Sequence, residues 1–497
     1  MEKKYLEKKN VMSFCISFFM GLVVHLRVLS SRIFTADDYT RAVLGWDEQI
    51  SVGRILFPLF QITSSSKYNI NAVSGVVALL FLAAVIEQIF SIFDIKNLST
   101  KMVISAVIMT SPCTFSTLVF PSCSTSYFLS FFLAFFSLRL IVFGSSEDIS
   151  LRKILSVLLI VISMLIYQVY GTVIIVAFFV KLLSDYLTAG KKIITKANII
   201  NLGLMVISIV IYYVVYKLVF FLLGIESTAY QGFNKVGPRK NVASFLDALK
   251  KIIQSFWDFW TGQKLCFYSA LNGVFWFFLL VVFVLIIKNS EQKLKHFIWS
   301  VVLLGMMVGS SFMLYLISSK VYYHNIMTWG CCFFYILVVV LVERMHFESL
   351  KYLIIGIISV ICLYNYQNGN VAYMKLDIAR EKTDYMIQKM MNDIDRVSDG
   401  TEKIAIIGDM TKHDTEDNLE IVPDINAADE EIKIISPARF ENYTRYYYGR
   451  SFDLVGDEDL EILSREILAD KNKYKDVYPY GTYCFKYGNY IVLNFGE

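Results

Sequence analysis

Two adjacent carboxylates, Asp37 and Asp38, stand in the segment Phe34-Thr35-Ala36-Asp37-Asp38-Tyr39, with Arg41 and Arg54 shortly after them. They follow the first apolar stretch of a chain that is mostly apolar, and carboxylates at a bilayer edge are costly to keep without a role. A carboxylate can take a proton from an attacking hydroxyl. A guanidinium can offset the charge that builds on a departing phosphate. Glycosyl transfer from a lipid phosphate needs both. On spacing alone these residues, with Arg32, Trp46, Asp47, Glu48 and Gly53, also suit a solvated loop with local Asp/Arg pairs.

Other polar groups fall where they can complete a cleft. Tyr167 and Gln168 sit in a short turn, and Lys320, Tyr322, Tyr323, His324 and Asn325 lie between two late apolar runs. Tyr, Gln and Asn side chains suit sugar hydroxyls, and Lys320 can meet a phosphate. His324 by itself is more often a hydrogen-bonded interface residue than a catalyst. The hydroxyls between Ser111 and Thr125 enrich the turn at 111–126 in polar groups that can join such a cleft, and helix packing explains them equally well. No His, Asp or Glu spacing resembles a dedicated metal site. The acidic pair is compatible with a divalent cation, and no other cofactor follows. The eight cysteines form no CxxC or Cys/His cluster and read as apolar packing residues, with Cys113 and Cys123 flanking a turn.

The elements that must position these groups are membrane helices. The 497 residues are 56% hydrophobic and only 18% charged, against about 25% charged in a soluble globular chain. The net charge of +4 gives no argument for nucleic-acid binding. Apolar runs of spanning length fall at about 11–30, 70–90, 102–120, 127–144, 154–169, 172–188, 198–223, 271–288, 297–317, 326–342 and 352–366. This predicts a polytopic α-helical membrane protein with about eleven spans. The run 154–188 is too long for one ordinary span and is split at Tyr167 to Gly171. The lysines after Met1 lead into a run without a cleavage site, which reads as a retained anchor.

A cytoplasmic N-terminus puts Lys96 and Lys101, Arg152 and Lys153, Lys191, Lys192 and Lys196, Lys288, Lys293 and Lys295, and Arg344 and Lys351 on the inner side. The short outer turns near 121–126 and 168–171 carry no Lys or Arg, as the positive-inside rule wants. Two long loops then face outward, at about 31–69 and 224–270. The second holds Lys235 to Lys240 and the aromatic run Phe256 to Trp260, which suits an interfacial helix or an aromatic belt. Residues 1–366 form the membrane part. Residues 367–497 read as a small exocytoplasmic α/β domain, with a charged helix at 371–396, strands at Lys403 to Ile407 and Glu431 to Ile435, and a terminal hairpin turning at Gly488-Asn489. The single Gly408 after a strand is too little for a nucleotide-binding turn.

This pattern resembles the GT-C glycosyltransferases. More narrowly, Ala36-Asp37-Asp38-Tyr39 followed by Gly45-Trp46 and Gly53-Arg54 looks like the start of the type II Gtr glucosyltransferases, the bacterial serotype-converting enzymes. Ile166-Tyr167-Gln168 is similar to a second recurring element of that family, and the strand Lys403 to Gly408 fits its C-terminal region. The likeness covers most of the chain, although its distinctive motifs occupy only the first sixty residues or so and the Tyr-Gln turn. It implies an inverting transferase that moves a hexose, usually glucose, from undecaprenyl phosphate. Transfer would occur at the outer face of the bacterial cytoplasmic membrane, onto a surface glycan such as O-antigen, a teichoic acid or a similar polymer. Asp37 or Asp38 would be the base, with Asp38 preferred. Arg54, and with it Arg41 and Lys320, would meet the donor phosphate. Tyr39, Trp46, Tyr167, Gln168, Tyr323 and His324 would line the sugar and acceptor.

Two other classes compete with a transferase. A transporter or flippase of lipid-linked sugars would need charges lining a path and paired repeats with broken helices, whereas here the polar groups gather at one face. A non-catalytic envelope assembly protein would act through its C-terminal region and ignore the aspartates.

Overall fold

The structure is a computed structural model that describes residues 2–64, 68, 70–143, 151–226, 242–261, 269–318, 321–345, 348–410, 436–470 and 474–496. Helices dominate it, and they fall on the apolar runs. Seven are long and apolar enough to cross a membrane: Asn71–Phe93, Ser124–Val142, Tyr170–Ala189, Lys196–Leu223, Ala270–Lys288, Lys293–Ser311 and Glu348–Val397. The chain is therefore a polytopic helical membrane protein. Helices at Leu151–Ile166 and Trp329–Arg344 are apolar but shorter, and the first apolar run divides at His25 into Glu2–Val24 and Leu26–Ser30. The split of the 154–188 run is found where it was expected, between Ile166 and Tyr170.

The run at 102–120 is not one straight helix. Leu98–Met109 and Pro112–Leu118 meet at a bend of 51°. Ser111 caps the second piece by accepting the Cys113 amide, and Pro112 takes the first turn, where its missing N–H costs nothing. Every residue from Ser111 to Ser126 is buried. This broken element and the turn after it carry Ser122 and Cys123 into the helical core.

The second long loop contains the helix Val242–Thr261. Ala248, Ile252, Phe259 and Trp260 are buried, while Leu246, Ile253 and Trp257 are exposed. Trp260 stacks on Phe275 at 5.6 Å and packs on Tyr335 at 5.2 Å. Residues 235–240 lie outside the described residues.

The expected boundary at 366/367 falls inside a single helix. Glu348–Val397 has 50 residues, about 75 Å at 1.5 Å per residue, and a bilayer uses only about 20 of them. Its upper half is tied to the first helices. His25 Nδ1 lies 3.0 Å from the Tyr373 hydroxyl, its Nε2 lies 2.8 Å from the Met109 carbonyl, and Arg27 pairs with Asp377 at 3.2 Å. His25 thus faces the protein interior. Beyond this helix comes a three-stranded mixed sheet. Strand β1 (Lys403–Ile407) pairs in parallel with β3 (Tyr490–Asn494), and β3 pairs antiparallel with β2 (Cys484–Tyr487). The β2–β3 turn is Gly488-Asn489, with Gly488 at φ +57°. Gly408 (φ +87°) needs no nucleotide to explain it, because a Cβ there would stand 1.9 Å from the Gly496 carbonyl oxygen. The expected strand at 431–435 lies outside the described residues.

Candidate active site

The two aspartates belong to the helix Ala36–Leu44, which starts the first long loop. Adjacent residues on a helix point about 100° apart, and the pair diverges accordingly. Asp38 turns inward and is fully buried. One carboxylate oxygen accepts the Thr35 amide at 2.7 Å and the Thr35 hydroxyl at 2.9 Å. The other accepts the Ser122 amide at 3.1 Å and the Ser122 hydroxyl. The bond back to Thr35 closes a capping box in which Asp stands in for the usual Glu. Burial pushes the Asp38 carboxyl above its ordinary range, against the pull of Arg41 and of the Ser122 and Thr35 hydrogen bonds. That rise would suit a base, but both oxygens are occupied and no surface is open to a substrate.

Asp37 is the accessible member of the pair. Its side chain is 24% exposed, and it accepts Nη2 of Arg41 at 2.7 Å. Arg41 itself is almost wholly buried. Its Nη1 donates to Ser122 Oγ at 2.7 Å and lies 3.8 Å from Asp38. One guanidinium thus spans both carboxylates and the turn at 122. The two base candidates stand in different environments: Asp38 is buried with both oxygens hydrogen-bonded, and Asp37 is partly exposed.

Arg54 reaches the same region from the far end of the loop. It follows Gly53, whose φ of +90° and close neighbours leave little room for a side chain: a Cβ there would lie 2.9 Å from the Tyr212 hydroxyl. Nη1 of Arg54 donates to Gln49 Oε1 at 2.6 Å and to the Tyr127 hydroxyl at 3.0 Å. Its guanidinium lies 5.0 Å from the Tyr167 ring centre, a cation–π distance. Tyr127 and Tyr167 stack at 4.1 Å. Arg41 donates to Ser122 and Arg54 to Tyr127, five residues further on, so the two guanidinia reach the same turn and helix start. Gln168 clamps the loop by donating to the Val52 carbonyl and the Tyr212 hydroxyl, both at 3.0 Å. Half-buried Trp46 packs on Phe57 at 5.4 Å beside this clamp.

The structure therefore brings Asp37, Asp38, Arg41, Arg54, Trp46, Tyr167 and Gln168 into one neighbourhood. Other expected residues are placed differently. Tyr39 is fully buried, with its ring against Phe34 at 6.2 Å and Tyr443 at 5.3 Å, so it has no face for a sugar. Tyr323 is also packed: its ring meets Phe312 at 5.1 Å and Tyr315 at 4.8 Å, and its hydroxyl accepts the Leu314 amide. His324 packs on Tyr322 at 4.9 Å and leads into the turn Asn325–Met327. Lys320 lies outside the described residues, as do the side chains of Asp47 and Glu48. Among the described residues, no three His, Cys, Asp or Glu side chains gather as metal ligands. Cys113 and Cys123 are both free thiols.

Three contributors were not legible as site residues: Ser122, Tyr127 and Gln49. The only signal for Ser122 was the density of hydroxyls between 111 and 126, which helix packing explains equally well. Tyr127 opens an apolar helix and gives no signal of its own.

A helical membrane protein with buried arginines and an accessible carboxylate gathered beyond its first apolar segment has the makings of a membrane-embedded transferase. Residues 26–342, more than half of the chain, match the model of the Glucosyl transferase GtrII family, and the chain belongs to that family. The protein is accordingly a glycosyltransferase of the glucosyl-transferring kind, with a sugar donor and a glycan acceptor. The match holds the whole Asp37–Arg54 site and Tyr167-Gln168, and it ends before the long helix Glu348–Val397. No curated protein and no solved structure matches this chain.

Proposed function

We propose that this glucosyltransferase takes its hexose from a polyprenyl-phosphate donor, with undecaprenyl phosphate as the carrier. It works at the outer face of the cytoplasmic membrane, with inversion, on a surface glycan. The observation that carries this reading is the division of labour within the Asp37-Asp38 pair. Asp37 is accessible and hydrogen-bonded to Arg41, whereas Asp38 is sealed into the Thr35–Ser122 network. Asp37 is then the base that takes the acceptor proton. Arg41 and Arg54 meet the donor phosphate. When the phosphate draws Nη2 of Arg41, Asp37 loses its pairing and becomes free to accept a proton. Tyr167, Gln168 and Trp46 hold the loop that presents Arg54. The reading keeps eleven crossings, with the bent pair and the shorter helices counted as spans, and places the C-terminal region outside the cell.

The test is glucosyl transfer from undecaprenyl-phosphate glucose in isolated membranes. Asp37→Asn should lose activity by at least about 100-fold, the usual scale for a general base, at unchanged protein level. Full activity in Asp37→Asn would overturn the assignment. Reporter fusions after residues 143 and 397 should read inside and outside respectively; a cytoplasmic C-terminal region would remove the outer-face reading.

A further inference from the structure

A cavity of about 600 Å³ opens between the start of the outer loop, the first turn of the helix Asn71–Phe93, the long helix Glu348–Val397 and the segment Thr444–Tyr448. Its size is in the range of small-molecule sites. We propose that this cavity binds the saccharide acceptor and presents it to Asp37. The proposal rests on the glucosyl-transfer reading above and assigns its second substrate a place.

Three features of the lining select a sugar. The first is an aromatic ring: half-buried Tyr447 lines the cavity, backed by the buried Phe34 ring on which it stacks at 4.5 Å. Rings of this kind cover the apolar face of a pyranose. The second is a set of planar polar groups along one helix. Arg380 donates to Asp384 at 2.7 Å, Asp384 also accepts Tyr443 at 2.6 Å, and Gln388 donates to Tyr448 at 3.3 Å. These side chains sit at i, i+4 and i+8 and so share a face. Together they offer donors and acceptors in the mixture that vicinal hydroxyls require. The third is Arg32, an exposed lining residue with no hydrogen bond or ion pair among the described residues. It remains available to a hydroxyl or an acidic substituent.

A lipid tail would want a continuous aliphatic wall, and only Leu29, Ile70 and Ala72 provide one here. The charge on Arg380 is already answered by Asp384. The location fits as well. Phe34 precedes Asp37 by three residues, so their Cα atoms are at most about 11 Å apart. Arg380, Asp384, Gln388, Tyr447 and Tyr448 all lie beyond the part of the chain that matches the family, whereas the Asp37–Arg54 site lies within it. The cavity thus joins the loop that carries Asp37 to residues from beyond the matched part of the chain.

The experiment uses the full-length protein in lipid nanodiscs. The probe is a set of oligosaccharide fragments released from the producing cell's own surface polysaccharide. Binding is read by saturation-transfer NMR, and initial rates of transfer give KM for each substrate. Asp37→Asn should bind the fragments as the wild type does. Arg32→Ala and Gln388→Ala alter exposed side chains and should fold normally. Each should weaken fragment binding roughly tenfold or more, the scale of a lost hydrogen bond to a charged or well-placed polar group. Acceptor KM should rise with it while donor KM stays put. Unchanged fragment binding and acceptor KM in both variants would overturn the proposal, and so would displacement of the fragments by undecaprenyl phosphate. If Asp37→Asn kept its transfer activity while the cavity variants lost fragment binding, the base assignment would fall and the acceptor site would stand.

Discussion

Replacing Asp38 by Ala removes one carboxylate and leaves four donors behind. The Thr35 and Ser122 amides are buried and would each lose their acceptor, at about 1–3 kcal/mol for every group left unsatisfied. Loss of a helix cap contributes about 0.5–2 kcal/mol on its own. Arg41, nearly buried at 3.8 Å from Asp38, would keep Asp37 as its counter-charge, so the full 3–5 kcal/mol for breaking a buried pair does not apply. These terms overlap, and a loss of about 3–5 kcal/mol is expected, a large part of the 5–15 kcal/mol that holds a typical fold. Asp37→Ala removes one contact of Arg41, which keeps Asp38 as its counter-charge, and leaves no buried amide without an acceptor, so it should cost clearly less than Asp38→Ala. The assay pairs thermal unfolding in detergent with glucosyl transfer in membranes. Asp38→Ala should unfold several degrees below the wild type and accumulate poorly. Asp37→Ala should be close to wild type in stability and inactive. An Asp38→Ala protein as stable as the wild type, yet inactive, would refute the division of labour and return Asp38 to the chemistry.

Arg54→Lys should raise the donor KM about tenfold or more, because an ammonium cannot reproduce the planar guanidinium held by Gln49, Tyr127 and the Tyr167 ring; steady-state kinetics with varied donor checks this. Ser122→Ala should lower the thermal midpoint in the same direction as Asp38→Ala but by less, since only the hydroxyl bonds to Asp38 and Arg41 go and the amide bond remains. Gly408→Ala should destabilise the C-terminal sheet by more than about 1 kcal/mol, because φ is +87° and the new Cβ would collide with the Gly496 carbonyl; limited proteolysis should then cut after residue 397. The Arg450 guanidinium holds the Asp395 carboxyl below its ordinary value. A depressed folded-state pKa stabilises above the unfolded value, so the contribution of this exposed pair is complete above about pH 4 and is lost as the pH falls further. Arg450→Gln should therefore narrow the stability gap between pH 6 and pH 3, measured by thermal unfolding.

Much of the membrane architecture is written in the sequence, because spanning hydrocarbon demands long apolar runs whose backbone bonds close internally. Those runs, the split near Gln168, the β1 strand and the Gly488-Asn489 hairpin are local signals, and the helices and strands fall on them. The pairing of Asp37 with Arg41 at i, i+4 is likewise local, and so is the weight of a carboxylate pair beyond the first span. What the sequence could not hold is direction. Two adjacent aspartates look equivalent in one dimension, and only the packing of Ser122, 84 residues away, makes Asp38 a sealed anchor and leaves Asp37 outside. Tyr39 shows the same limit in reverse: its type suits a sugar, and its burial against Tyr443 withholds it. The convergence of Arg54 with Tyr127 and Tyr167 also waits for helices far apart in the chain to meet. Periodicity fixes which faces are apolar, but which polar side chain finds a buried partner is decided by tertiary contacts, since burial without a partner costs more than any local preference can return.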